Sequence, residues 1–265
     1  MSTETTSDAP SEARKRRRFR RTPKPVVEHM TLFEHLGELR RRTFWSMAAI
    51  AIGASVVYGF FNPILTFLDG PYRNVTRSAR LPDGAPLVAT GVTDAFLVRL
   101  QVSAYGGIII AAPIIVYHLW RFVTPALDRR EKRYAIPLVA ATALLFAMGV
   151  LVMWFVLEPA VDFLVNQSDA IQPLVTAKSY LTLVVVMALV FGIAFEFPVV
   201  IIFLLLARIV TTKQLRAVRR YVIVGIVIFA AVATPSQDPY SLFFMAGPMY
   251  VFYEVAIVVG RIMKR

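Results

Sequence analysis

The sequence predicts an all-α polytopic membrane protein with an even number of crossings. Three observations carry that prediction. Hydrophobic residues make up 57% of the chain and mean hydropathy is +0.61, against about 45–50% apolar residues in soluble domains. Several runs of 18 residues or more contain almost no charge, which is the length a helix needs to span a bilayer. Lys and Arg alternate between connecting segments: 24 of the 29 fall in the N-terminus, the segments 121–133 and 208–220, and the tail. The other five are Arg73, Arg77, Arg80, Arg99 and Lys178. By the positive-inside rule both termini are cytoplasmic.

Residues 1–29 are polar and carry the run from Arg14 to Arg21, broken only by Phe19. No apolar periodicity is present, so disorder is expected. Such a run suits anionic lipid or nucleic acid. A topology anchor is the simpler reading, and no nucleic-acid partner is expected. The first apolar run begins only at Phe44 and is long enough to span, so the N-terminus does not read as a cleaved signal.

Thr31 and Glu34 form a capping-box pattern, which starts a helix. Leu32, Leu36 and Leu39 share one face, with Glu34 and Glu38 beside it and Arg40, Arg41 and Arg42 closing the segment. A short amphipathic helix at the water–lipid boundary is expected. Its carboxylates could receive a cationic ligand. The simpler reading is a solvated i,i+4 pair of Glu38 with Arg42.

Residues 44–61 make the first span. The segment from Asn62 to Asp94 reads as a polar loop with turn signals at Asp69-Gly70-Pro71 and Pro82-Asp83-Gly84. At that length it should carry structure of its own. The second span lies in 96–120, where Gly106-Gly107 and Pro113 predict a kink or close packing. Residues 121–133 are a basic loop containing Glu131. The third span is 134–157, followed by a polar loop over 158–178. The fourth is 180–207, interrupted only by Glu196 beside Pro198. After a basic loop at 208–220, the run 221–233 is apolar for only 13 residues. That is roughly 20 Å of helix against a hydrocarbon core of ~30 Å. Charge alone leaves open whether this run crosses or returns as a hairpin. Thr234 to Pro239 is a turn, 242–260 is the last apolar run, and 261–265 is a basic tail.

Chemistry-bearing candidates are few. The chain has no cysteine, which excludes disulfides, thiolate catalysis and Cys-ligated metals. Walker, GxGxxG and HExxH patterns are absent, and His29, His35 and His118 lack metal-ligand spacing. No catalytic residue, cofactor or metal is expected, and the protein does not read as an enzyme. Glu196 is the outlier, because a carboxylate inside a span costs at least ~2.5 kcal/mol and marks function by default. It is either a polar site for substrate or proton, or a carboxyl satisfied by hydroxyls and by backbone freed at Pro198. Glu254 lies near the end of its span and should snorkel to the interface.

Taken in order, the motifs resemble the TatC family, the multi-spanning subunit of the twin-arginine protein translocase. They are His35-Leu36-Gly37-Glu38-Leu39-Arg40-Arg41-Arg42; the run from Tyr117 through Phe122 to Leu127 followed by Arg130-Glu131-Lys132-Arg133; Phe191-Gly192-Ile193-Ala194-Phe195-Glu196-Phe197-Pro198; Thr234-Pro235; and Pro248-Met249-Tyr250 ending at Glu254. The similarity runs from about residue 30 to residue 260. The resemblance implies six transmembrane helices in a cupped, glove-like arrangement, the last two short and both termini inside. It makes residues 30–260 one six-helix domain between the basic N-terminus and tail.

The family binds twin-arginine signal peptides at the cytoplasmic face and exports folded proteins using the proton-motive force. The resemblance points to Glu38 and Glu131 as the receptor carboxylates, with Arg40 and Phe122 in the same motifs. Carboxylates suit that role, because they accept the guanidinium fork and Lys cannot reproduce it. The resemblance also implies Glu196 in the hollow, Pro71 in an outer cap, and single-span TatA/TatB-like partners near Thr234 and Asp238. In that last region Ala231 and Leu242 stand where some members carry more polar residues. An oligomeric complex in a bacterial-type inner (cytoplasmic) membrane follows. The alternative is a proton-coupled secondary transporter using Glu196, although no internal repeat supports it. An intramembrane enzyme has no nucleophile–base pair to rest on.

Overall fold

The computed structural model describes residues 32–78, 87–123, 135–166 and 174–262. The basic N-terminal run, Thr31, the turn at Pro82, Glu131 and the last three residues lie outside the described residues. Nine α-helices and no β-strand occur among the described residues; one isolated bridge pairs Val88 with Thr176.

Helix α1 runs Leu32–Gly59 without a break. The amphipathic segment expected to stand apart is therefore its first three turns. Nothing between Arg42 and Phe44 interrupts a helix, and Gly37 alone costs only about 1 kcal/mol. The chain then bends by 80° into α2 (Phe61–Leu68) and α3 (Gly70–Ser78). The structure expected within the polar segment 62–94 is helical at its start, and Tyr72 and Val75 are buried in the main core.

Helix α4 (Asp94–Val123) returns along α1. The expected close approach at Gly106-Gly107 is present: a Cβ on Gly107 would sit 2.5 Å from the Ala54 backbone nitrogen. Small residues let the two backbones touch, as at membrane helix crossings. Helix α5 (Ala135–Val165) continues through Pro159 for two turns past the expected end at 157. Ala160, Val161 and Val165 are buried there, so packing outweighs the break that proline would impose.

The fourth apolar run divides into α6 (Ala177–Ala194) and α7 (Phe197–Leu206). Pro198 has no N–H to donate, and the chain tightens locally, with Glu196 N–H donating to Ile193 O at 3.0 Å. Helix α8 (Thr212–Ala233) begins in what the sequence reading took for a basic loop, at a capping box of Thr211 and Gln214. After a tight turn comes α9 (Pro239–Ile262).

The core lies where α5, α6 and α9 meet, around Leu157, Leu181, Met187, Phe191 and Met245. A Cβ on Gly149 would fall 2.5 Å from Phe191 O, so α5 and α6 also touch through backbone. Large apolar side chains such as Phe155 and Phe243, 70% and 69% exposed, coat the outside. In water that would be a liability; in a multi-pass membrane protein it is the lipid face. Among the described residues four helical segments are long and apolar enough to cross, namely α4, α5, α6–α7 taken together and α9, or five if bent α1–α3 counts as one span. Helix α8 falls short because its first half carries Arg216, Arg219 and Arg220.

Candidate functional site: two carboxylates in two hollows

Glu38 and Arg42 lie one turn apart on α1, so their side chains share a face. The glycine contact further along pulls α1 onto α4 and brings this face against the last turns of α4. Arg42 Nη2 donates to Glu38 Oε1, and Arg42 Nη1 donates to His118 O of α4 at 3.3 Å. The pair is largely sequestered, with side-chain exposures of 12% for Arg42 and 24% for Glu38. Glu38 Oε2 and Arg42 Nε are buried without a hydrogen-bond partner among the described residues.

A hollow of about 360 Å³ opens beside the pair, lined by Glu38, Arg41, Arg42, Trp45, His118 and Arg121. Arg121 Nη1 donates to the Tyr117 hydroxyl at 2.8 Å. Three guanidinium groups thus surround one carboxylate. The place where a carboxylate accepts a cation is Glu38 itself. Arg40 is exposed on α1, and Phe122 is half-buried in the last turn of α4. Glu131 lies outside the described residues, so its distance to Glu38 is not described.

The sequence reading did not place Trp45, His118 and Arg121 beside Glu38. Antiparallel pairing of the first two spans was the available signal, because it sets residue 42 level with residues 118–121.

The second carboxylate stands at the break between α6 and α7. Glu196 occupies the N-cap position of α7 without capping it. Its Oε1 is buried and has no hydrogen-bond partner among the described residues. Thr142 of α5 is the polar side chain facing it. The Thr142 hydroxyl is itself engaged, accepting from Trp120 Nε1 at 3.0 Å and donating to Leu138 O at 2.9 Å. On the other side is an apolar groove of about 510 Å³, walled by Ile193, Phe197, Val222, Ile226, Phe229 and Met249 with Glu196 among them. Helices α8 and α9 and both sides of the α6–α7 break build this groove.

The other candidates fall elsewhere. Glu254 pairs with Arg219 of α8, whose Nη2 donates to Oε2 at 2.9 Å and whose Nε is 2.9 Å from Oε1. Pro71 is buried at the second residue of α3. Beside it Tyr72 meets Tyr180 with ring centres 5.3 Å apart, and the Tyr180 hydroxyl donates to Leu68 O at 2.7 Å. Asn74 Nδ2 donates to Glu158 Oε2 at 3.1 Å, which ties α3 to α5.

Thr234 and Asp238 are each 1% exposed. Thr234 Oγ1 donates to Ala230 O at 2.9 Å, and Asp238 Oδ1 accepts from Ser241 N–H at 2.8 Å. Between them Gln237 has φ 47°. Both side chains brace the α8–α9 turn from inside.

Comparison with known proteins follows the same fold. A family model described as Sec-independent protein translocase protein (TatC) matches residues 34–248. A protein named Sec-independent protein translocase protein TatC from Frankia casuarinae is 36% identical, covering 93% of this chain and 70% of that one. A chloroplastic protein of the same name from Arabidopsis thaliana is 34% identical, covering 86% of this chain and 66% of that one. A crystal structure described as the twin arginine translocase receptor TatC superposes with a TM-score of 0.72 at 33% identity, covering 88% of this chain and all of that one.

Proposed function

The chain belongs to the TatC family, components of the Sec-independent, twin-arginine protein translocase, and from that premise we propose that it is the signal-receptor subunit. In this reading it binds twin-arginine signal peptides at its cytoplasmic face and supports export of folded proteins driven by the proton-motive force. The observation that carries the reading is Glu38. It is a sequestered carboxylate at a membrane-edge hollow, with one oxygen already engaged by a guanidinium and the other buried without a partner among the described residues. A carboxylate in a partly desolvated hollow holds guanidinium by charge-assisted hydrogen bonds, about twice as strong as neutral ones. Glu131, Arg40 and Phe122 complete the peptide site.

Six crossings are part of the proposal: α1, α4, α5, the pair α6–α7, α8 and α9, with both termini inside. In this reading α8 crosses with its polar end at the cytoplasmic edge, where Arg219 meets Glu254 of α9. Glu196 lies in the resulting hollow and meets the apolar part of an inserted signal hairpin. The segments around Pro71, with the Val88–Thr176 bridge, form the outer cap. Single-span TatA/TatB-like subunits pack near the α8–α9 turn. Thr234 and Asp238 shape that turn, and the exposed rings of Tyr240, Phe243 and Phe244 offer the contact.

The test is binding of a twin-arginine signal peptide to the chain in nanodiscs, beside its twin-lysine version. The expected result is a clear arginine preference that is lost in Glu38→Gln and in Glu131→Gln. Unchanged binding in both variants ends the receptor reading. Glu196 Oε1, buried without a hydrogen-bond partner among the described residues, favours one alternative, a proton-coupled transporter. That alternative requires Glu196→Gln alone to abolish a small-solute flux.

A further inference from the structure

A carboxylate that receives arginine from a ligand already holds arginine from its own helix. Arg42 sits one turn after Glu38, its guanidinium on Glu38 Oε1 and on the His118 carbonyl. A two-bond fork needs both oxygens of a carboxylate. Here one oxygen is taken and the other is free of any described partner. A ligand guanidinium placed to form that fork meets the Arg42 guanidinium at Oε1, where like charge and crowding oppose holding both at once and favour release of Arg42. Two features make release feasible. Arg42 Nε has no acceptor among the described residues, which leaves the guanidinium incompletely satisfied by them. The adjoining hollow of about 360 Å³ gives the displaced side chain somewhere to go.

We propose that Arg42 is an internal occupant of the guanidinium site, and that peptide binding at Glu38 proceeds by exchange of one guanidinium for another. The proposal rests on the receptor reading of Glu38. It has a quantitative consequence. An internal occupant lowers the apparent affinity of every ligand by the same factor, the fraction of molecules in which the site stands open. Arg42 thus sets how tightly the site binds. It does not set the preference for arginine over lysine, which belongs to the carboxylate geometry.

The experiment uses the full chain in nanodiscs and measures dissociation constants for a twin-arginine peptide and its twin-lysine counterpart. Arg42→Gln should tighten both by about three- to tenfold, and by the same factor, if the site is closed most of the time. Arg41→Gln removes the same unit charge from the same hollow without vacating Glu38, so it should tighten binding by less than half as much. Arg42→Lys keeps the charge but loses the fork. It should tighten binding in the same direction by less, and it serves if Arg42→Gln does not fold. Weaker or unchanged binding in Arg42→Gln, or equal tightening in Arg41→Gln, overturns the exchange. Glu38→Gln, made in both backgrounds, separates the two claims. Loss of binding there, with no tightening from Arg42→Gln, sinks the exchange and leaves the receptor reading standing. Binding that survives Glu38→Gln sinks both.

Discussion

The hollow at Glu38 and the groove at Glu196 each put a carboxylate where an apolar chain should avoid one, yet they handle the charge differently. Glu38 is neutralised by a residue four positions away on the same helix. Its surroundings are crowded with further guanidinium groups. Among the described residues no cation lines the groove at Glu196, and its walls are almost wholly apolar. The first site offers a competition between like cations. The second offers a single polar point in an oily channel. The receptor role proposed above would use both kinds of surface, one for a charged motif and one for an apolar segment, held apart.

The largest effect is expected from attacking what holds the first hollow together. Gly107→Val forces a side chain into the Ala54 backbone. It should destabilise the protein by about 2–3 kcal/mol or more and abolish peptide binding, read as an earlier thermal aggregation midpoint in detergent. A next, more selective cut separates the two carboxylates. Glu38→Gln should weaken twin-arginine peptide binding about 10–100-fold, the worth of a charge-assisted hydrogen bond. Glu196→Gln should leave binding within about twofold while reducing export into vesicles. Equal loss from both variants would show that the two hollows act as one site.

Salt sharpens the contrast further. Raising ionic strength from 0.05 to 0.5 M should weaken peptide binding by about three- to fivefold, because the Glu38 site is partly open to water. Retention of an apolar probe in the Glu196 groove should not weaken. The smallest effect belongs to Gly225 on the groove wall. No atom lies within 4 Å of a Cβ built there, so Gly225→Ala should stabilise α8 by about 0.5–1 kcal/mol without altering binding. Destabilisation would mean that the groove wall must flex.

Several features of both hollows were legible from the chain alone. The pairing of Glu38 with Arg42 follows from a spacing of four on a helix. Glu196 stands out as the one charge inside the fourth apolar run, beside Pro198; the helix break there is a finding of the structure. The tight crossing of α1 and α4 follows from Gly106-Gly107. Other features were misread for one recurring reason. Polarity was taken as the end of a helix, yet α5 continues past Glu158-Pro159 and α8 begins nine residues before its apolar run. Backbone hydrogen bonding inside a helix does not depend on side-chain polarity. Burial of Ala160 and Val161 and the Thr211 cap settled those boundaries.

What the sequence determined by itself was local and periodic: membrane class, helical content, the alternation of basic segments, and the two carboxylates that violate the apolar pattern. Each rests on interactions within a few residues or on the cost of placing charge in hydrocarbon. Only the tertiary structure decided what those carboxylates face. The His118 carbonyl and Trp45 meet at Glu38 because α1 and α4 run antiparallel in backbone contact. Glu254 meets Arg219 across two helices, 35 residues apart. The groove at Glu196 exists only where α6–α7, α8 and α9 converge. Such neighbourhoods are sums over distant segments. No window of sequence contains them, and the packing of whole helices creates them.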